Sequence, residues 1–100
     1  MKNYIWCWAY EKGCRINTAD SLEKIVETFV NTHYYDSDYL AIKVDDDRIN
    51  VELIYDELIT QYEVEATEVA VCDFLHQLAH NMGIQEYVSI RKTKDLMEKL

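Results

Sequence analysis

The chain contains no proline and only two glycines, Gly13 and Gly83, in 100 residues. Flexible linkers, low-complexity spacers and glycine-rich phosphate loops are therefore excluded. No run approaches the roughly 20 apolar residues that a membrane-spanning helix needs. The start, Met1 to Trp6, is not followed by a long apolar region, because Glu11 and Lys12 interrupt it, so it does not read as a signal peptide. Cysteine is scarce: Cys7, Cys14 and Cys72 are odd in number and show no CxxC spacing. A small secreted domain would carry an even disulfide framework, so free thiols in a cytoplasmic protein are expected. A single compact domain over residues 1–100 is expected, and no internal repeat is visible.

Basic residues are the other shortage. Ten Lys and Arg face nineteen Asp and Glu, a net charge of −9. Residues 36–73 hold twelve of the acids against Lys43 and Arg48 alone, so this segment carries −10. Residues 1–35 balance, and residues 74–100 carry +1. Such a field repels phosphate, which argues against direct binding of DNA or RNA. It attracts basic protein surfaces instead.

What is present is patterned. Residues 3–10 alternate, with Tyr4, Trp6, Trp8 and Tyr10 on one side and Ile5, Cys7 and Ala9 on the other. This predicts a strand, followed by a turn at 11–13. Asp20-Ser21-Leu22-Glu23 has the form of a capping box with Asp20 as N-cap, opening an amphipathic helix over about 20–32. Residues 39–44 read as a strand and Asp45-Asp46-Asp47 as a polar turn.

Residues 48–65 satisfy two periods. Ile49, Val51, Leu53 and Tyr55 alternate as a strand, and residues 59–64 allow another; Val51, Ile54, Tyr55, Leu58, Ile59 and Tyr62 fit a helix. A second helix is expected over about 66–82, stopped by Gly83. A closing strand at 87–91 and a short charged helix from about 93 complete the chain. With the hairpin reading, the order is strand–helix–strand–strand–helix–strand. The predicted class is α+β, a small antiparallel sheet with two main helices on one face, a ferredoxin-like order being possible.

Chemistry-bearing patterns are sparse. Cys72, His76 and His80 share helical spacing, but the HExxH general base is missing, since this stretch reads His76-Gln77-Leu78-Ala79-His80. Asp36-Ser37-Asp38 and Asp45–Asp47 lack the twelve-residue calcium loop and are explained by turn chemistry. No nucleophile–base arrangement stands out, so no catalytic residue, metal or cofactor is assigned. The aromatic side of residues 4–10 has two readings. In the ferredoxin-like arrangement it lies open, suited to a protein interface or a homodimer; otherwise it is the core.

The stretch 50–84, with Asn50-Val51-Glu52, Leu58, Tyr62-Glu63-Val64, Phe74-Leu75, Leu78 and Gly83-Ile84, resembles the helical half of PqqD-like peptide-recognition domains over about a third of the chain. That resemblance implies a helix over 51–62 and peptide binding by strand addition.

From composition and placement, the expectation is a small, acidic, non-enzymatic inhibitor of another protein. It would be a phage or mobile-element anti-defence protein of the anti-CRISPR or anti-restriction type. Its carboxylates would stand in for phosphates in a basic nucleic-acid groove. The expected contact residues are Asp36, Asp38, Asp45, Asp46, Asp47, Glu52, Asp56, Glu57, Glu63 and Glu65, with Trp6 and Trp8 supplying apolar contact. A peptide-recognition accessory domain and a plain oligomeric structural protein are the alternatives.

Overall fold

The computed structural model describes residues 3–10, 13–33, 39–55, 57–81, 83 and 87–94; of Tyr10, His33, Tyr39 and Tyr55 it describes the backbone alone. The elements run β1 (Tyr4–Tyr10), β2 (Gly13–Ala19), α1 (Leu22–His33), β3 (Tyr39–Asp45), β4 (Arg48–Tyr55), β5 (Leu58–Glu65), α2 (Glu68–Asn81) and β6 (Tyr87–Lys92). They form two antiparallel three-stranded sheets, ordered β2-β1-β6 and β3-β4-β5, called sheets A and B below.

The α+β class holds, but the expected single sheet does not. Two strands beyond the six-element order, β2 and β5, complete separate sheets. The helix over 51–62 that the PqqD-like resemblance requires is absent, because residues 48–55 and 58–65 pair as a hairpin. Alternation wins there: Ile49, Val51 and Leu53 enter the core together, whereas a helix would have scattered them around its circumference.

The helix ends follow local chemistry. Ser21, not Asp20, caps α1, since its Oγ accepts the Lys24 amide at 3.3 Å. Thr67 does the same for α2 through the Ala70 amide at 3.2 Å. Gly83, at φ +77°, closes the end of α2 by donating its amide to the His80 carbonyl at 2.9 Å.

The order of elements hides a repeat. Each half of the chain runs strand–strand–helix–strand, and the ladders match: Tyr4 pairs with Ala19 in β1–β2, and Ile49 pairs with Val64 in β4–β5. Taking 4 from 49 and 19 from 64 leaves 45 both times. The last strand of each half crosses over: β3 pairs with β4, and β6 returns to β1. The buried sets coincide as well, Trp6 and Trp8 standing where Val51 and Leu53 stand. No repeat is visible in the residue identities; pairing and burial carry it.

One core serves both sheets. Trp6, Trp8 and Ile90 from sheet A and Ile49, Val51, Leu53 and Val64 from sheet B join the buried stripes of both helices. α1 packs on α2. Phe29 meets Trp8 edge-to-face at 5.8 Å, and Phe74 meets Tyr62 at 5.1 Å. Among the described residues no helix is long and apolar enough to cross a membrane.

Candidate protein-interaction site

Register decides which side chains share a face. In sheet B, Lys43, Asn50 and Glu63 stand side by side across the strands, and Ala41, Glu52 and Gln61 form the next row. These rows turn away from the core and line a shallow depression of about 530 Å³. Gln61 donates to Glu52 Oε2 at 2.7 Å, fixing that carboxylate across β4–β5. Glu65 continues the outward side of β5 beside Arg48.

The Asp45–Asp47 turn extends this acidic face. All three side chains are exposed. Asp45 pairs with Arg48, so Asp46 and Asp47 form a two-residue hairpin loop, with Asp46 at φ 55°. Arg48 Nε reaches Asp47 Oδ1 at 3.8 Å and Glu63 Oε1 at 3.6 Å. Such exposed contacts contribute at most about 1 kcal/mol and leave the carboxylates accessible. Glu57 is exposed in the opposite turn, at φ 65°, separated from Asp47 by the length of β4, roughly 23 Å.

The fold therefore brings Asp45, Asp46, Asp47, Glu52, Glu63 and Glu65 onto one face and its adjoining turn, and places Glu57 at the far end. Asp36, Asp38 and Asp56 lie outside the described residues.

Trp6 and Trp8 are not there. They are 1% and 5% exposed, their rings 5.1 Å apart. The expectation that they touch a partner is corrected: the helices cover the aromatic side of β1, and the side bearing Ile5, Cys7 and Ala9 lies open. Burying two indoles removes far more apolar area from water than burying an isoleucine, a cysteine and an alanine. Arg15 lies over the rim of this core, its guanidinium 5.8 Å from the Trp8 ring centroid.

Of the Cys72/His76/His80 set, Cys72 and His76 serve packing. One side of α2 lies along β6: Glu68 meets Lys92 at 3.7 Å, Cys72 lies by the Ile90 amide, and His76 stacks on Tyr87 at 5.6 Å. Burial raises the Cys72 thiol above its ordinary value, partly countered by the hydrogen bond from Ile90. His80 is exposed. Among the described residues no three His, Cys, Asp or Glu side chains come together as a metal site.

Sequence reasoning missed the open face of sheet A, whose prominent residues are Ile16 and Tyr87. The signal was the size difference between the two sides of residues 4–10. Compared with protein-family models, curated proteins and solved structures, the chain matches none.

Proposed function

We propose that the protein is a non-catalytic inhibitor that binds a basic protein surface through the outer face of sheet B and the Asp45–Asp47 turn, occupying a groove that otherwise receives nucleic acid. The observation that carries this reading is the gathering of six carboxylates on one exposed face and turn, opposed there only by Lys43 and Arg48.

One turn position, Glu57 at the far end of β4, is consistent with it. Among the described non-glycine residues, Asp46 and Glu57 alone have positive φ. Glycine or asparagine suits that conformation better than glutamate does. Acid at a position where the backbone favours another residue fits a role for the carboxylate. Anti-CRISPR or anti-restriction action in the cytosol is the biological setting that this chemistry fits, and the three free thiols agree with such a compartment.

The test is capture on the immobilised protein from bacterial lysate, elution with rising salt, and identification by mass spectrometry. The expected result is a nucleic-acid-binding enzyme released at moderate salt and blocked from its nucleic acid by the free protein. A variant carrying Asp45→Lys, Asp46→Lys and Asp47→Lys should lose the capture. Undiminished capture by that variant sinks the reading.

A further inference from the structure

The two outer sheet faces share one backbone plan and differ in chemistry. In sheet B two outer rows, Lys43–Asn50–Glu63 and Ala41–Glu52–Gln61, carry the charge, and the third pairs Ile54 with Ile59. In sheet A the equivalent rows read Ile5 between Thr18 and Arg91, Cys7 between Ile16 and Ser89, and Ala9 between Cys14 and Tyr87. Ile16 is 72% exposed and Tyr87 67%. The face holds no acid and one base, Arg91, in a chain of net charge −9.

Folding does not require this. The pseudo-equivalent face of sheet B puts Lys43, Asn50 and Glu63 and then Ala41, Glu52 and Gln61 in the first two rows and keeps Ile54 and Ile59 only in the third. The architecture therefore tolerates charge where sheet A has Ile5, Cys7 and Ile16. An open apolar face against that internal control is the mark of an interface.

We infer that the outer face of sheet A is a self-association surface, and that two copies of this chain pack it face to face as a two-fold dimer. Charge selects a second copy. An apolar face laid on carboxylates would strip their water without replacing it, so the matching surface must itself be nearly uncharged. Sheet A's own outer face meets that condition, whereas that of sheet B does not. A two-fold contact through sheet A also leaves the Asp45–Asp47 turns, on the other sheet, out of the interface. Isologous contact requires only this self-complementarity, and sheets pack well face to face at about 10 Å.

Area sets the strength. Three strands of about seven residues present roughly 330 Å² of face, against about 800 Å² per partner in a standard stable interface. The dimer is accordingly weak, in the transient class of interfaces.

The experiment is sedimentation velocity of the whole chain from about 10 µM to 1 mM under reducing conditions, which exclude a disulfide-linked dimer. A reversible, concentration-dependent dimer is expected. Ile16→Asp should abolish it. Ile59→Asp, at an exposed position on the outer face of sheet B, should leave it intact. Tyr87→Asp repeats the test at the other edge of sheet A should Ile16→Asp disturb the fold, which circular dichroism reports. A wild-type chain that stays monomeric at 1 mM overturns the inference, as does equal loss of dimer from Ile59→Asp. Neither outcome bears on the acidic face of sheet B, which the lysate capture tests separately.

Discussion

Asp46 and Glu57 sit at φ 55° and 65°, where an L side chain crowds its own carbonyl. Aspartate softens this by local hydrogen bonding; glutamate, one methylene longer, does so less well. Glu57→Gly should therefore raise stability by about 1 kcal/mol, more than Asp46→Gly, in urea unfolding at constant m-value. A loss on Glu57→Gly would mean that the carboxylate makes a contact outweighing the strain. The thiols differ in a measurable way too. Cys14 is exposed, whereas burial raises Cys72 above its ordinary value. A thiol reagent at pH 8 should modify Cys14 first and Cys72 last. The linkage has a definite sign. A raised thiol favours the protonated form in the folded state, so its stabilising contribution is complete below the unfolded value of about 8.5. That contribution is lost as pH rises through the folded value. Cys72→Ser should flatten the decline in stability above pH 9; an unchanged profile would count against the burial argument.

At the scale of elements, legibility tracked burial contrast. β1, α1, α2 and β6 each set a full apolar row against a polar or smaller one, and their positions follow from residue spacing. β2 has no such contrast. As an edge strand it buries only Ala19, with Ile16 facing water, so Gly13–Ala19 gives alternation nothing to act on. β4 and β5 were ambiguous for the opposite reason: Ile54 and Ile59 supply apolar residues off the core row and, with Leu58 at the exposed end of that row, complete a helical period by coincidence. Of the candidate site, the Asp45–Asp47 turn was legible from composition, and the outward row of Glu52 and Glu63 follows once the hairpin is known. The side of β1 that faces the core was not legible, because alternation places residues on two faces without saying which one a helix will cover. Size decides it, and the cost is testable. Trp8→Ala should destabilise by about 3–5 kcal/mol, because Trp8 is buried against Phe29 and Trp6. Ile5→Ala, on the open face, should cost well under half as much. Comparable losses would return the aromatic side of β1 to the surface.

For the whole molecule, the crossed third strands are the governing fact. Each half of the chain builds its own hairpin and helix and then gives its last strand to the other half's sheet. Residues 1–46 would hold a β1–β2 hairpin without β6, and residues 47–100 a β4–β5 hairpin without β3. A two-stranded hairpin is marginal in water, and each half lacks the buried residues of its partner, among them Ile90 for sheet A. The chain is also divided electrically: strands β1, β2 and β6 hold Arg15, Arg91 and Lys92 and no acid, while the acidic excess lies in the segment containing β3–β5. That division runs between the sheets and not between the halves: residues 1–46 carry −3 and residues 47–100 carry −6, so the two halves repel weakly, more so at low salt. Severing the chain between Asp46 and Asp47 should give two fragments that each lack cooperative unfolding. Mixed in equal amounts, they should recover the near-ultraviolet signal of Trp6 and Trp8 and a single unfolding transition. Recovery should weaken as fragment concentration falls, because union is then bimolecular. Rising salt should strengthen it, if only modestly, since the core supplies most of the binding. Either fragment folding alone would show that the crossed strands are dispensable, and the two halves would then be neighbours, not parts of one cooperative unit.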